Sequence, residues 1–414
     1  GYLNAANVVI FWILNTAAHP IVLTQYLTTM TGPLSTTVMY LIKFAVILSG
    51  IIVNSFEFSV IAHITSILCV VMMLPFCVAF FWTLPRINPT TQWPPCGLDW
   101  PLAITTCVWE YAGFESLGSI VQEIGFPTKR LYSAFLFAIL ADLTTLLIPI
   151  LSAATLANDR CFDWFDGFFA VGYGHLTKSL EYSVTVGAVV INWCIYVTAL
   201  GVVSRMLWAT AQPYFEIKTD GAMVLSQANL ASPRDQYGRT RIAINILPKR
   251  FIGELYHHTG RPIYATVAIS VFVALANISM DFGEMVEFNL FTYFVFFCIE
   301  LCAYLILKHT EPDTPRIFEI PGGTLGGWAT VILLLLSYGT CFWVMAFEKP
   351  VLLAIAVAMN GMFTFYYIGG KFCCHRMYQH DIFEDMEDFE TYVEAKHDST
   401  QRSEIVEYEY EPLI

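Results

Sequence analysis

The chain has 414 residues, 56% of them hydrophobic and 13% charged, with a mean hydropathy of +0.59 and a formal net charge of −13. An ordinary soluble enzyme of this length carries about twice that charge, so composition excludes one and points to an all-α, polytopic helical membrane protein. The acidity is local: twelve of the 34 acidic residues lie between Asp381 and Glu411, opposed there only by Lys396 and Arg402, which reads as a solvated tail.

Apolar stretches of about 20 residues, the length that crosses a bilayer, predict helices in chain order at 8–29, 36–54, 58–82, 101–124, 131–157, 183–208, 262–280, 286–308, 325–347 and 350–370. That is about ten transmembrane helices. The loop from Pro85 to Trp100 is rich in Pro and Thr, the loop from Asn158 to Glu181 mixes aromatics with Gly and Asp, and 212–261 is a polar insertion. Its part from Glu216 to Asn245 has too few clustered apolar residues to build a core and is expected to be flexible. The expected organisation is a transmembrane domain over 1–370, interrupted by that cytoplasmic loop, and an acidic cytoplasmic tail over 371–414.

With both termini cytoplasmic, the inner connections hold Lys129, Arg130, Lys218, Arg234, Arg239, Arg241, Lys249, Arg250, Arg261, Lys308, Arg316, Lys371 and Arg376. The outer ones then hold only Arg86, Arg160, Lys178 and Lys349, a clear positive-inside bias. Cys96 and Cys161 both fall in outer loops, where a disulfide is permitted but not implied by spacing. Cys373 and Cys374 follow the last span, a setting compatible with palmitoylation and with simple burial. The chain opens at Gly1 without an initiator Met and enters an apolar helix at once, which reads as an internal start.

No metal-ligand spacing or nucleotide-binding Gly-rich loop is present, and His257-His258 lacks a partner motif. An enzyme, a cofactor, a metal and a nucleic-acid partner are therefore not expected.

The segment from Trp100 to Glu123 combines membrane length with Glu110, Glu115 and mid-span Ala112-Gly113. A carboxylate at the bilayer centre costs roughly 2.5 kcal/mol or more, so it is kept where it faces a cavity, a partner or a ligand. Glycine there lets a helix unwind and offer backbone groups to a substrate, though Gly113 and Gly118 equally suit close helix packing. Polar side chains at helical spacing recur elsewhere: Asn15, His19 and Tyr26; Asn192 and Tyr196; Asn289, Tyr293, Phe296 and Glu300. Three such stripes suggest a shared aqueous path, and each alone suits interhelical hydrogen bonding, the preferred reading for Asn192. Asp142 is expected to pair with a neighbouring helix, Lys43 to neutralise an acid, Arg205 to snorkel and Glu123 to form a gate-stabilising salt bridge near Lys129 and Arg130.

Trp109 through Glu123 with Pro127, Lys129 and Arg130 resembles the sixth helix of the amino acid/polyamine/organocation transporter superfamily. Leu247-Pro248-Lys249-Arg250-Phe251 with Thr259-Gly260-Arg261-Pro262 is similar to the loop before that family's ninth helix. Ser279-Met280-Asp281-Phe282 leading to Asn289, Glu300 and Leu301, then Pro315-Arg316 and Ile320-Pro321-Gly322, is a third match. Within the superfamily the eukaryotic polyamine uptake branch is most similar, through Asn15, Pro20, Tyr26, Gly187-Ala188, Tyr196 and Glu300. The resemblance implies a LeuT-like inverted-repeat transporter fold entered at the third helix, with the first two helices, one of them a broken substrate-holding helix, outside the chain.

It also implies a secondary active transporter moving polyamines such as putrescine or spermidine, coupled to protons, in the lipid bilayer of the plasma membrane. A polyamine presents several ammonium groups separated by methylenes and needs spaced carboxylates with aromatic faces between them. By this likeness Glu115 is an ammonium anchor and Trp109 a cation–π wall, with Gly113, Ser116, Asn15, Tyr196, Asn289 and Tyr293 as further substrate-binding residues. Glu300 is a second anchor or the proton-coupling carboxylate, and Glu123 the cytoplasmic gate. Val197 and Gln25 stand where the branch has acids, so a cationic or neutral amino acid permease is an alternative, as is a non-transporting sensor. An epitope inserted between Ala231 and Ser232 is expected to be reached by antibody only after the cells are permeabilised; staining of intact cells would reverse the orientation.

Overall fold

A computed structural model describes residues 2–56, 58–87, 109, 112, 128–157, 167–211, 252, 261–310, 320, 322–348 and 350–373. Its helices are α1 (Tyr2–Thr31), α2 (Thr36–Val53), α3 (Phe58–Thr83), α4 (Thr128–Ala157), α5 (Phe168–Gly174), α6 (Lys178–Thr210), α7 (Ile263–Ser279), α8 (Phe282–Thr310), α9 (Gly323–Glu348) and α10 (Pro350–Cys373). A short 3-10 turn, Leu84–Arg86, follows α3. Nine of the ten predicted spans are helical here, and the tenth, 101–124, lies outside the described residues apart from Trp109 and Ala112. Among the described residues six helices are long and apolar enough to cross a membrane, and three shorter apolar stretches lie in α7, α9 and α10. The protein is thus a polytopic helical membrane protein.

By internal contacts the chain falls into two compact units, 1–212 with 247–361 and 213–246 with 362–414. The packing described below belongs to the first. The described part of the second is the C-terminal stretch of α10, where Met362 and Phe365 are exposed.

Local chemistry sets the helix ends that hydropathy misplaces. Helix α1 stops where Gly32 takes φ 84° and returns its N–H to Thr28 O at 2.9 Å, with Pro33 following. Helix α6 begins at Lys178 rather than 183 because Thr177 caps it, its hydroxyl accepting from Leu180 N at 3.2 Å. Helix α8 begins at Phe282 rather than 286 because Asp281 and Glu284 satisfy each other's backbone N–H groups, at 2.8 and 3.1 Å. The stretch 158–181, expected as loop, holds α5, whose Phe168, Ala170 and Tyr173 are buried. Burial raises the Tyr173 hydroxyl to about 12, and it donates to Pro149 O at 3.2 Å.

Lipid offers hydroxyl groups no hydrogen-bond partner, so serine and threonine within the spans turn their hydroxyls back on their own helix. Thr16 donates to Trp12 O at 2.6 Å, Thr24 to Ile21 O at 2.7 Å, Ser204 to Leu200 O at 2.6 Å and Ser270 to Thr266 O at 2.8 Å. The sequence is therefore rich in hydroxyls that ask nothing of neighbouring helices. Asparagine is not satisfied by one bond within its own helix, and Asn277 and Asn289 reach across to α1.

Helix α1 is the axis of the bundle, packing on α6 and α8 and also touching α2, α5 and α7. It and α6 are the most enclosed spans, and α4 the least. The main core runs from Phe11, Trp12, Ala17 and Ile21 of α1 through Ile47, Tyr196, Leu200, Val203, Ile269 and Val273 to Met285, Tyr293 and Phe296 of α8. A second cluster joins Tyr26 to Phe76 of α3, Tyr173 of α5 and Val184 of α6. A third joins Leu290 and Phe291 of α8 to Ala356 of α10.

Two glycines allow α6 to sit where it does. A Cβ on Gly187 would stand 2.9 Å from the Met72 carbonyl oxygen, and a Cβ on Gly50 of α2 would overlap the Tyr196 ring. Helices in lipid associate through such close approaches, since apolar burial drives little there. Gly187→Ala must push α3 from α6, because its obstacle is backbone. Overpacking of this kind costs about 1–3 kcal/mol, so Gly187→Ala should melt several degrees lower in detergent than the parent, while Gly361→Ala, with open space around it, should not.

Candidate functional site

Of the expected substrate residues, Gly113, Glu115 and Ser116 lie outside the described residues, as do Glu110 and the gate residue Glu123. The remainder can be placed. The Trp109 ring meets Phe282 at the start of α8 edge-on, with centroids 5.8 Å apart and planes at 90°, and it packs against the cluster of Leu290, Phe291 and Ala356. Ala112, whose N–H returns to Trp109 O at 3.3 Å, abuts the main core. Trp109 is thus brought to α8, the helix that also carries Asn289, Tyr293 and Glu300.

The α8 stripe is turned onto α1. Asn289, 1% exposed, donates from Nδ2 to Phe11 O at 2.7 Å. Tyr293 sits among rings, 5.1 Å from Phe11, 5.0 Å from Phe296, 5.6 Å and stacked on Phe297, and 5.8 Å from Tyr338. Glu300 accepts from Asn4 Nδ2 at 3.1 Å. Asn277 of α7 repeats the Asn289 device, its Nδ2 reaching Ala17 O at 3.0 Å. Tyr196 is fully buried in the same core but aims its hydroxyl at Ile47 O of α2, 3.4 Å away. The structure brings Asn289, Tyr293 and Glu300 together on the α1 interface and sets Tyr196 apart, under α2.

On α1, Asn15 is half-buried. His19 is 7% exposed, with Nδ1 at 3.3 Å from Asn192 Oδ1 of α6. Asn192 spends its own Nδ2 on Ala188 O at 2.9 Å, so its oxygen faces His19 and the imidazole Nδ1 carries the hydrogen. His19 Nε2 is then an acceptor, and it is buried without a partner among the described residues. Trp12, seven residues earlier on the same face, has a buried Nε1 in the same position.

A polar cluster at the start of α1 escaped the sequence. Asn7, with no exposed surface, donates to Leu3 O at 2.8 Å and to Asn360 Oδ1 of α10 at 2.7 Å, one turn from Asn4 and its Glu300 bond. Asn4 and Asn7 are spaced i, i+3, the signal that would have revealed them, but the predicted helix began at residue 8. Lys43 meets a carbonyl instead of an acid, its Nζ 3.5 Å from Asn277 O near the end of α7, where a cation favours the helix dipole. Arg205 donates to Gly201 O within its own helix at 2.9 Å. Asp142 has one carboxyl oxygen, Oδ2, buried without a partner among the described residues.

Taken together, the unpartnered buried side-chain atoms have one chemistry. Among the described residues Asn4 Oδ1, Asn7 Oδ1, His19 Nε2, Gln25 Oε1, Asp142 Oδ2, Asn277 Oδ1 and Asn289 Oδ1 are acceptors, and Trp12 Nε1 is the one donor. Asn192→Leu should leave His19 Nδ1 with no acceptor, at a cost of about 1–3 kcal/mol. Thermal unfolding in detergent should show that loss, and the double variant His19→Leu with Asn192→Leu should recover part of it.

Comparison with known proteins gives a family and several relatives. Residues 1–369 match the family model described as amino acid permease. The chain is 24% identical over 313 residues to polyamine transporter RMV1 of Arabidopsis thaliana, covering 73% of this chain and 56% of that protein. It is 24% identical over 277 residues to polyamine transporter PUT1 of Oryza sativa subsp. japonica, covering 66% of this chain and 46% of that one. The chain spans about half the length of these curated relatives.

Proposed function

The chain belongs to the amino acid permease family, and from that premise we propose that it acts as a secondary transporter for polyamines such as putrescine or spermidine, driven by protons. The observation that carries the substrate class is the excess of buried, unpartnered acceptors along and around α1. A buried acceptor without a donor costs about 1–3 kcal/mol, and such atoms accumulate where a ligand or water completes them. A polyamine offers only N–H donors, on ammonium groups spaced by methylenes. The imidazole nitrogen of His19, amide oxygens at Asn4, Asn7, Asn277 and Asn289, and aromatic faces at Tyr293 and Phe297 supply that chemistry along α1 and its neighbours. The names of the relatives point the same way.

In this reading Trp109 is a cation–π wall, Glu115 the central ammonium anchor with Gly113 and Ser116 beside it, and Asn15, Asn289 and Tyr293 contribute the rest of the lining. Glu300 carries the coupling proton, and Glu123 closes the cytoplasmic side. The membrane is the plasma membrane and both termini are cytoplasmic. Tyr196 acts through packing, because its hydroxyl is committed to α2. The second reading, a cationic or neutral amino acid permease, is favoured by the neutral side chains of Gln25 and Val197.

Uptake of labelled putrescine, spermidine and arginine by the complete protein separates these readings. Putrescine and spermidine should enter, and Glu115→Gln should lower polyamine uptake at least tenfold, the effect of losing about 1.4 kcal/mol of ammonium binding. Entry of arginine alone would replace the substrate class, and full polyamine uptake by Glu115→Gln would remove the anchor assignment. Uptake should fall as the outside pH is raised; uptake indifferent to pH would sink proton coupling.

A further inference from the structure

We infer that Asn4, Asn7 and Glu300 form a binding site for a compact monovalent cation, either an alkali-metal ion or a primary ammonium group, between α1 and α8. The inference rests on the coupling role proposed for Glu300 and deepens it: the cation takes the site when the carboxylate is ionised, after the coupling proton has left. It rests on the orientation of three amides, which the hydrogen bonds leave no freedom to reverse. Asn360 donates from Nδ2 to Ala356 O at 2.9 Å, so its Oδ1 is turned outward and accepts from Asn7 Nδ2 at 2.7 Å. The same Asn7 nitrogen donates to Leu3 O at 2.8 Å. Flipping Asn7 would set its oxygen against two other oxygens, so Oδ1 must point away from both.

Asn4 is fixed in the same way. Its Nδ2 donates to Glu300 Oε1 at 3.1 Å, and a flipped amide would press Oδ1 against a carboxylate. Both Asn4 Oδ1 and Asn7 Oδ1 are consequently held as acceptors, and both are buried without a donor among the described residues. Asn7 has no exposed surface at all. The two residues stand i, i+3 on one helix, with Cβ atoms roughly 5–6 Å apart, neighbours on one face.

Asn7 has spent both of its N–H groups and Asn4 has one held by Glu300, which leaves two amide oxygens without donors among the described residues on the helix that meets this carboxylate. One water has two hydrogens and could serve the amides, but it would leave the charge of Glu300 uncompensated. Among the described residues no Lys or Arg forms an ion pair with Glu300; the described ion pair is Lys178 with Glu181. Glu300 is partly buried on its span, where a carboxylate without a counter-charge is costly. A compact cation meets the acceptors and the charge together. An all-oxygen donor set with one negative charge and no thiol or imidazole suits a hard ion of low charge.

The test is binding by the complete protein, purified in detergent, so its failure is distinct from failure of the transport reading. Thermal unfolding is followed in N-methyl-D-glucamine chloride while Na+, K+ or methylammonium chloride replaces it at constant ionic strength. At least one of the three should raise the melting temperature along a saturating curve, because a ligand that binds the folded state stabilises it by mass action. Alkali ions acting alone would identify a metal-ion site, and methylammonium acting alone a site for a substrate ammonium group. Glu300→Gln, which still accepts from Asn4 but has no charge, should weaken the response at least tenfold in concentration, as should Asn7→Leu if it folds. The proposal is overturned if no cation exceeds N-methyl-D-glucamine, the outcome for a site holding water, or if the response survives in Glu300→Gln.

Discussion

The constraint on which the whole bundle depends is that lipid solvates no polar group, so each amide in a span must find its partner in protein. Asn277 and Asn289 meet it by donating to backbone oxygens of α1, at Ala17 and Phe11. Asn54 does the same between α2 and α6, reaching Val197 O at 3.0 Å. A bond of this kind is worth about 1 kcal/mol or less in membrane proteins, but it fixes a register that apolar packing leaves loose. The aromatic cluster of Phe11, Tyr293 and Phe296 packs at the same height of α1 that the Asn289 bond to Phe11 O specifies for α8.

The same constraint explains where the chemistry of binding resides. An amide that donates to a carbonyl keeps an oxygen in reserve, and on Asn277 and Asn289 that oxygen has no donor among the described residues. One side chain thus both joins two helices and presents an acceptor to whatever else enters. The excess of acceptors over donors follows from using asparagine as the fastener. A bundle fastened by serine and threonine would not have it, because hydroxyls turn back on their own helix, as Thr16 and Ser204 do.

Much of the fold was legible in the sequence because the bilayer imposes a length: nine predicted spans recur as helices, with shifts at their ends. Those shifts come from capping chemistry, at Thr177 and at the Asp281–Glu284 pair, which a hydropathy window averages away. Helix α5 was not legible because seven residues leave no periodic signal, and its burial depends on α3 and α6 meeting over it. The candidate site was legible in part. Asn289, Tyr293 and Glu300 were found by spacing, and His19 and Asn192 stood in stripes. Asn4 and Asn7 were missed because the first helix was begun too late. That His19 faces Asn192 while Tyr196 faces α2 depends on the rotation of α6, which glycine at 187 and 50 sets and no local pattern records.

Fastening α8 to α1 through a backbone oxygen has a mechanical corollary. Successive carbonyls along a helix are 1.5 Å apart in height but rotated by about 100°, so the next acceptor on the same face is roughly one pitch away, about 5.4 Å. Asn289 cannot slide along α1 by small steps and stay bonded. Any slide of α8, or of α7 through Asn277, that is shorter than a turn therefore gives up its amide bond to α1, while motion of the three helices as one body keeps both bonds.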